Sequence, residues 1–331
     1  MTGDHRYMAR AMALAAGVRT TTSPNPWVGC VIEPGGFEGA TNPPGGPHAE
    51  VVALGVAGDA ARGATLYTTL EPCAHAGRTA PCADAIVDAG IARVVVGTED
   101  PDERVRGAGT RALRAAGVVV DVGVCQDEVR EQLGPYLKHR STGRPWVVLK
   151  LAATLDGRTA APDGTSRWIT GAEARADSHR LRAQSDAVIV GAGTVRADDP
   201  ALTVRNSPGS PAQGGRSRGP MRVVLGRAPA AARAQPVVEL SGDLGGVLDE
   251  LGRRGVLQAM VEGGATVAGA FHRAGLVDRY VMYLAPALLG GDDGRPLFAG
   301  PGAPTMSEIW RGRLVSVTRL GDDVRLECSP A

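Results

Sequence analysis

Four side chains in the first quarter of the chain have the types and order expected of a metal-dependent active site. His48 is followed two residues later by Glu50, and Cys73 and Cys82 come further along. One imidazole and two thiolates make three zinc ligands, which leaves the fourth tetrahedral position for water, as in catalytic zinc sites. A carboxylate beside such a water can carry its proton. We therefore predict that His48, Cys73 and Cys82 bind zinc and that Glu50 is the catalytic proton carrier.

Zinc-dependent deaminases of nucleobases combine a His-x-Glu element with a later Pro-Cys element, which here is Pro72-Cys73. Two other interpretations remain open at this point. His48 could be a surface histidine, with both cysteines packed in the core. Alternatively, a structural zinc site would need a fourth protein ligand. His75 could supply that ligand, although its position two residues after Cys73 is awkward.

The local elements must bring these side chains together. Residues i and i+2 face different sides of a regular helix, so His48 and Glu50 converge only if a helix begins at that point. Pro47 is compatible with such a helix start. A strand predicted at 64–69 ends shortly before Cys73, and Cys82 begins another predicted helix. Asn25 lies in a loop ahead of the first predicted strand, where it could hydrogen-bond a sugar or a base edge of a substrate.

Composition limits the classes of protein that remain. The chain has 331 residues, which suggests two domains, and its net charge of +1 does not indicate a broad nucleic-acid or membrane surface. No apolar run approaches the roughly 18 residues that span a bilayer. Five cysteines make a complete disulfide framework improbable, and we expect Cys30, Cys125 and Cys328 to be buried small residues. A reduced, cytoplasmic location fits this composition.

Strands and helices are predicted to alternate along the first half. We predict helices at 7–16, 49–55, 82–89, 109–116 and 127–138, and strands at 28–32, 64–69, 92–96 and 118–122. The segment 33–47 is rich in Gly and Pro, which predicts a loop or hairpin. Such alternation is typical of an α/β sheet covered on both faces.

A polar segment at 141–145 is the best candidate for a linker, and it divides the chain into domains at 1–143 and 144–331. After it we predict strands at 146–152, 187–190, 221–225, 257–261 and 279–284, and helices at 172–183, 244–254 and 265–274. Strands at 314–320 and 324–328 would form a hairpin. The segment 206–220, rich in Gly, Ser and Pro, predicts a mobile surface loop.

Two glycine-containing turns in the second half each join a predicted strand to a helix start. They lie at Gly191-Ala192-Gly193-Thr194 and at Glu262-Gly263-Gly264-Ala265-Thr266. Such turns let backbone amides approach phosphate oxygens, although a tight connection is the simpler explanation for each one. No G-x-G-x-x-G fingerprint is present. Arg182 and Arg205 are candidates for holding a phosphate, and Lys150 stands out inside an apolar strand.

The first half resembles the deaminase half of the bifunctional riboflavin biosynthesis family. The segments that carry the resemblance are Gly46-Pro47-His48-Ala49-Glu50-Val51, Leu70-Glu71-Pro72-Cys73 and Gly77-Arg78-Thr79-Ala80-Pro81-Cys82. Eight residues separate the two cysteines, as in that family, whereas many related deaminases have C-x-x-C. The resemblance implies a cytidine-deaminase-like α/β/α domain, zinc on the three named ligands and Glu50 as proton donor.

The second half resembles the reductase half of the same family, which implies a dihydrofolate-reductase-like α/β domain and NADPH as cofactor. The implied cofactor contacts are Ala152, Trp168, Thr194 and the turn and helix start from Gly264 through Ala265 and Thr266 to Ala270. The implied substrate contacts are Ser166, Arg182, Asp198, Leu202, Arg205 and Glu262. The family also implies a small phosphorylated pyrimidine substrate, a homodimer, and no nucleic-acid or membrane partner.

One departure from the family pattern lies after the strand at 221–225. Gly226-Arg227 follows where many members have Asp-Ser, and only about 35 residues separate Leu225 from Glu262. This departure makes reductase activity less secure than deaminase activity, and three alternatives to a bifunctional enzyme stay open. The chain could be a deaminase with a degenerate reductase domain, a nucleoside or tRNA deaminase with an appended domain, or a non-enzymatic zinc-stabilised module.

Overall fold

The computed structural model describes residues 3–74, 81–102, 105–205 and 219–331. The chain divides into two compact units, Met1–Gly143 and Arg144–Ala331. Among the described helices, none combines the length and the apolar character needed to cross a bilayer.

The first unit is built on a five-stranded sheet in the order β2-β1-β3-β4-β5. Strand β1 pairs antiparallel with β2 and β3, whereas β3, β4 and β5 are mutually parallel. The sheet strands are β1 (Gly29–Glu33), β2 (Phe37–Ala40), β3 (Thr65–Leu70), β4 (Arg93–Thr98) and β5 (Val119–Val122). The predicted loop or hairpin at 33–47 is therefore a hairpin.

Helices cover both faces of this sheet, which gives an α/β/α arrangement. Helix α1 packs on β1 and β3 and also contacts α5, while α2, α3 and α4 pack in sequence with one another. Their bounds are α1 (Gly3–Val18), α2 (Ala49–Ala57), α3 (Cys82–Asp88), α4 (Ala108–Ala115) and α5 (Gln126–Thr142). The central strands β3 and β4 are almost entirely buried because both of their faces are covered.

Helix α5 extends into the predicted linker. It ends at Thr142, about one turn beyond the predicted end at 138. In this last turn the hydroxyls of Ser141 and Thr142 donate to the carbonyl of Lys138 at 3.1 and 2.8 Å. Gly143, with φ of 72°, then ends it in the left-handed conformation that glycine adopts without strain. The connection to the second unit is correspondingly shorter than predicted.

The second unit contains an eight-stranded sheet in the order β10-β9-β8-β11-β6-β12-β15-β14. The six strands from β10 to β12 in that order are parallel, and β15 and β14 add an antiparallel edge. The strands are β6 (Trp146–Thr154), β7 (Arg158–Ala160), β8 (Ala187–Gly191), β9 (Met221–Leu225), β10 (Val238–Leu240), β11 (Gln258–Val261), β12 (Arg279–Ala285), β13 (Arg295–Pro296), β14 (Gly312–Leu320) and β15 (Asp323–Pro330). Strands β7 and β13 form a separate pair.

Apolar clusters on the two faces of this sheet hold its helices. Val247, Leu248, Leu251 and Phe271 pack on one face, and Ala174 and Leu181 pack on the other with Val148 and Tyr283. The helices are α6 (Ala172–Ala183), α7 (Ala192–Asp198), α8 (Leu244–Arg253) and α9 (Ala265–Arg273).

Between β9 and β11 the structure adds one strand to those predicted, and elsewhere it changes the expected burial of two cysteines. The short stretch between Leu225 and Glu262 contains β10, which was not predicted, as well as the predicted helix α8. Of the three isolated cysteines, Cys30 is fully buried, but Cys125 and Cys328 are only partly buried. Cys125 directly precedes helix α5, and Cys328 lies on β15 near the edge of the sheet. The predicted surface loop at 206–220 falls almost entirely outside the described residues.

Candidate active sites

Three helix and strand ends converge in the first unit. His48 is the N-cap of α2, with extended backbone (φ −75°, ψ 164°), so the helix begins between His48 and Glu50. Cys73 lies three residues beyond the end of β3, and Cys82 is the first residue of α3. Cys82 also donates its backbone amide to Cys73 Sγ at 3.4 Å.

The three predicted ligands lie at distances that suit a tetrahedral metal ion. His48 Nδ1 is 3.3 Å from Cys82 Sγ and 3.7 Å from Cys73 Sγ, and all three ligand atoms lie within 4.8 Å of one another. Zn–S and Zn–N bonds of usual length place nitrogen and sulfur about 3.6 Å apart on a tetrahedron. His75, the alternative fourth ligand, lies outside the described residues. The donor set and its spacing therefore fit zinc with one position left open.

The pKa values of these groups are shifted in different directions: that of Cys73 is lowered, whereas those of His48, Cys82 and Glu50 are raised. A hydrogen bond from the Cys82 thiol, together with the nearby His48, lowers the pKa of Cys73 to about 4 against the opposing effect of burial. Glu50 is only 3 % exposed, and this burial raises its pKa to about 7. A carboxyl group with a pKa near neutrality can both accept and release a proton at physiological pH.

A cavity of about 530 Å³ opens beside His48, Glu50 and Cys73. Asn25, predicted to contact substrate, lies in its wall, as do Asp100, Asp102, Tyr136 and Arg140, which sequence reasoning missed. The Tyr136 hydroxyl donates to Asp100 at 2.9 Å, and the Arg140 guanidinium lies 5.1 Å from the Tyr136 ring centre. Burial raises the pKa of Asp100. Tyr136 and Arg140 are one helical turn apart on α5, but nothing in their spacing indicated that α5 reaches this cavity.

In the second unit, the two glycine turns lie side by side. Strands β8 and β11 are parallel neighbours, so the helices that follow them, α7 and α9, begin at the same edge of the sheet. A Cβ on Gly264 would lie 3.6 Å from Thr194 Oγ1, and a Cβ on Gly263 would lie 2.5 Å from the Val267 side chain. Ligands of open α/β sheets bind in the crevice at the carboxyl ends of the strands.

A second cavity, of about 450 Å³, is lined by charged residues. Glu262 accepts from Arg182 Nη2 at 2.6 Å and lies 3.4 Å from Lys150 Nζ, and Arg182 Nη1 also donates to the Thr203 carbonyl at 2.6 Å. Burial alone would raise the pKa of Glu262, but the charges of Arg182 and Lys150 outweigh burial and lower it. Arg175 and Arg205 also line this cavity, so cations outnumber the carboxylate.

His179 is neutral in this cationic cavity. Burial is the largest cause that lowers the pKa of His179 to about 4, and the charges of Arg182 and Arg205 are the next largest. Its Nδ1 lies 3.3 Å from the backbone amide of Arg205 and accepts from it, which leaves Nε2 as the protonated nitrogen. Arg175, His179 and Arg182 have i, i+4 and i+7 spacing on α6, a pattern readable in the sequence that could have identified His179 and Arg175.

Comparison with known proteins decides the family. Residues 145–326 match the family model of the RibD C-terminal domain, and residues 1–98 match that of the cytidine and deoxycytidylate deaminase zinc-binding region. Riboflavin biosynthesis protein RibD of Escherichia coli K12 is 40 % identical over 363 residues, which cover 98 % of each chain. The chain belongs to the RibD family. The Mycobacterium tuberculosis H37Rv RibD is 42 % identical over 333 residues, covering 96 % of this chain and 95 % of that protein.

Solved RibD structures share the whole fold. Acinetobacter baumannii RibD (form 1) superposes with a TM-score of 0.92 at 40 % identity, with 99 % of each chain covered. A diaminohydroxyphosphoribosylaminopyrimidine deaminase/5-amino-6-(5-phosphoribosylamino)uracil reductase of Thermotoga maritima superposes with a TM-score of 0.85 at 32 % identity, again with 99 % of each chain covered. The predicted family and the predicted pair of fold classes are thereby confirmed.

The residues that the RibD resemblance implied for the reductase half fall into three groups. Ala152, Trp168, Arg182, Arg205 and Glu262 all line the second cavity. Thr194 and the Gly264–Thr266 helix start meet at the glycine turns instead. Ser166, Asp198 and Leu202 are not among the residues lining the cavity.

The structure limits how Leu202 and Asp198 could contact a substrate. The Leu202 side chain is 4 % exposed and packs in an apolar cluster with Val188 and Val224, so any ligand contact would involve its backbone. Asp198 is exposed at the end of α7, and its carbonyl accepts from the Arg167 guanidinium at 3.0 Å. For these residues, contact with substrate stays a prediction.

Proposed function

We propose that this RibD-family enzyme catalyses two consecutive steps on one phosphorylated pyrimidine. Residues 1–143 remove the 2-amino group of 2,5-diamino-6-(5-phosphoribosylamino)pyrimidin-4(3H)-one by hydrolysis, and residues 144–331 reduce the ribosyl group of the product with NADPH. The observation that carries the first step is the cluster of His48, Cys73 and Cys82 beside the buried carboxylate of Glu50. The cation-rich second cavity supports the second step.

In the deamination step, His48 and the thiolates of Cys73 and Cys82 would hold zinc. Zinc, when bound, supplies the Lewis acidity that makes water a nucleophile at neutral pH. Glu50 accepts the proton of the attacking water and delivers it to the departing amine, so that a C–O bond replaces the C–N bond and ammonia leaves. The walls formed by Asn25 and Asp100 orient the pyrimidine. Burial of Glu50 keeps bulk water from competing for this proton.

In the reduction step, the chain binds and orients both reactants. When bound, NADPH would supply a hydride to C1′ of the ribose in its opened imine form. A proton from solvent would go to the imine nitrogen, which leaves a ribityl chain and NADP⁺. Lys150, Arg182 and Arg205 give the cavity a cationic lining that favours a phosphate-bearing substrate. The close approach of the glycine turns at Thr194 and Gly264 provides backbone amides for the phosphates of the cofactor.

The Glu50→Gln variant tests the first step, because it removes the proton carrier and keeps the shape of the side chain. We expect zinc content to stay at the parental level while ammonia release falls about 100- to 10,000-fold. Metal analysis and an ammonia assay measure the two quantities. Glu128→Gln, the same change on the exposed surface of α5, is the matched control and should keep parental ammonia release. Equal release by Glu50→Gln and the parent would refute the proposed role.

The second step is tested by supplying the deaminated product with NADPH and following absorbance at the nicotinamide wavelength. Oxidation of NADPH that requires the deaminated product is expected. Ammonia release from the first substrate, without any later NADPH oxidation, would instead mean that the second unit does not reduce. Replacing NADPH with NADH in the same assay measures the cofactor preference.

We also propose that the protein is cytoplasmic, on the basis of its composition, and that it is a homodimer, on the basis of the family resemblance. The free cysteines of the described residues agree with a reducing compartment. Light scattering of the purified protein measures the oligomeric state, and a monomeric mass would contradict the dimer.

A further inference from the structure

Glu71 is a buried carboxylate that neither proposed step uses. It follows the last residue of β3 and lies two residues before the ligand Cys73, and it is 3 % exposed. Its Oε1 accepts from the backbone amides of Gly109 and Thr110 at 3.0 and 3.2 Å. Its Oε2 accepts from the amides of Gly107 and Asp100 at 3.0 and 3.3 Å.

These four hydrogen bonds occupy the acceptor capacity of the group. A carboxylate offers about four lone-pair sites on its two oxygens, and four amides fill them. Glu71 is therefore fully engaged with the backbone, and it could act as a proton carrier or a metal ligand only by releasing these amides. The role of Glu71 therefore depends on the segment to which these amides belong.

The amides belong to the segment that connects β4 to α4 and to the start of α4. The N-cap of α4 is Gly107, which has no side chain to cap the helix. Glu71, although distant in the sequence, caps the helix instead, because it accepts from the amides of Gly109 and Thr110 in the first turn. A negative charge at a helix N-terminus is also stabilised by the helix dipole.

Gly109 brings the same two segments together from the other side. A Cβ at Gly109 would lie 1.8 Å from the carbonyl oxygen of Pro72, which is the residue between Glu71 and Cys73. Only glycine permits this approach of backbone to backbone. The segment from Leu70 to Cys73 is thus attached to the start of α4 by a carboxylate and by a close backbone contact.

We propose that Glu71 is a positioning residue for deamination, which fixes the cavity wall at Asp100 and Asp102 relative to the zinc-ligand segment at Cys73. Asp100 is attached directly through its amide, and both aspartates line the cavity beside Glu50. The proposal rests on the proposed deaminase function. It predicts that loosening this attachment misplaces the pyrimidine without removing the metal.

The Glu71→Gln variant tests this attachment, because one acceptor oxygen becomes an amide donor that faces two backbone donors. We expect the amides of Asp100, Gly107, Gly109 and Thr110 to exchange with deuterium about ten-fold faster. We expect zinc content to stay parental, and KM for deamination to rise about ten-fold because the substrate is misplaced. Amide exchange is followed by fragmentation mass spectrometry, and Glu128→Gln is the matched control with parental exchange and KM.

The Gly109→Ala variant is an independent test that leaves the Glu71 carboxylate in place. Its methyl group must separate the α4 start from Pro72, so the same rise in KM with zinc retained is expected. Far-UV circular dichroism reports whether either variant has folded, so that zinc content reports the ligand cluster alone.

The possible results distinguish failure of this proposal from failure of the proposed deaminase function. Parental exchange and parental KM in Glu71→Gln would overturn it. Loss of zinc together with activity in both variants would also overturn it, because Glu71 would then support the ligands rather than the wall. If the parent itself releases no ammonia, the proposed function fails, whereas the exchange rates still decide whether Glu71 fixes this segment.

Discussion

The convergence of His48 and Glu50 depends on where a helix begins. In a regular helix the two side chains would diverge, but His48 is the extended N-cap and Glu50 lies in the first turn of α2. This geometry was predictable, because Pro47 and the His-x-Glu spacing together indicate a helix start. The proximity of His48, Cys73 and Cys82 was predictable for the same reason, since Cys73 follows a strand and Cys82 begins a helix.

The missed residues of the first site lacked any local signal. Asp100, Tyr136 and Arg140 reach the cavity from the end of β4 and from α5, and neither segment carries a metal-ligand or catalytic motif. Only tertiary packing brings them beside Glu50. Lys150 and Glu262 were noticed separately in the sequence, but their proximity depends on β6 and β11 being neighbours, which the sequence alone does not establish.

At the residue scale, His179 makes the stability of the second unit depend on pH. The folded pKa is about 4, whereas an unfolded histidine titrates near 6.5. The unfolded chain therefore takes up a proton first, so this contribution to stability is complete above pH 6.5 and decreases as the pH falls toward 4. Arg182, Arg205, Lys150 and Glu262 are the charged groups that act on it.

We expect His179→Gln to reduce the loss of stability between pH 6.5 and pH 4.5, because glutamine does not titrate and can still accept the Arg205 amide. Urea unfolding at both pH values, followed by tryptophan fluorescence, gives the free energies of unfolding. The parent protein, measured at the same two pH values, is the control for the titration of the other groups. Identical pH dependence in the two proteins would contradict the assignment of a neutral histidine.

At the scale of the elements, the alternation of apolar patterns predicted the order of the helices and strands. The prediction failed for very short strands, for strand direction, and for a helix whose cap comes from a distant residue. Helix α4 has glycine at its N-cap, and its cap comes from Glu71, more than thirty positions earlier. Strands β7, β10 and β13 have three residues or fewer, too few to show a hydrophobic period. Strand β1 is antiparallel to β3 although the chain alternates, which no local pattern indicated.

The close packing of β2 on α2 depends on a glycine, Gly39. A Cβ on Gly39 would lie 2.2 Å from the Ala49 carbonyl oxygen, at the start of the helix that carries Glu50. We expect Gly39→Ala to lower the free energy of unfolding by about 1–3 kcal/mol because the hairpin must move away from the helix. Urea titration of the parent and variant measures this change.

The matched control is Gly55→Ala, in the same helix α2, where a Cβ would meet no atom within 4 Å. Alanine in a helix interior is expected to raise the free energy of unfolding by about 0.5–1 kcal/mol. Equal effects of the two substitutions would show that the contact between β2 and α2 has no special energetic importance.

Taken as a whole, the molecule contains two units, each with its own sheet and its own cavity. The predicted zinc ligands all lie within Met1–Gly143, and the cation-rich cavity lies within Arg144–Ala331. A two-domain organisation was predictable from length and from the polar segment near residue 143. The strand order of the second sheet was not, because β11 inserts between β8 and β6 and so departs from chain order.

Removal of the metal should therefore affect the two activities differently. We expect a strong zinc chelator to lower ammonia release about 100-fold or more, because the nucleophile is no longer activated. NADPH oxidation with the deaminated product should stay within about two-fold of the untreated protein, since the second cavity contains no zinc ligand. Restoring zinc should restore ammonia release. Parallel loss of both activities would contradict independent sites.

The Glu71 carboxylate accepts hydrogen bonds from main-chain amides alone. These hydrogen bonds therefore do not depend on the side chains of the segment between β4 and α4. Residues such as Pro101 and Asp102 can be exchanged without removing a hydrogen bond to Glu71. Over evolutionary time, or in a directed-evolution library, this part of the cavity can vary in the heterocycle it accepts while its backbone keeps its course. Gly107 and Gly109 are exceptions, because Gly107 has a φ of 66° and because a Cβ at Gly109 would clash with the Pro72 carbonyl.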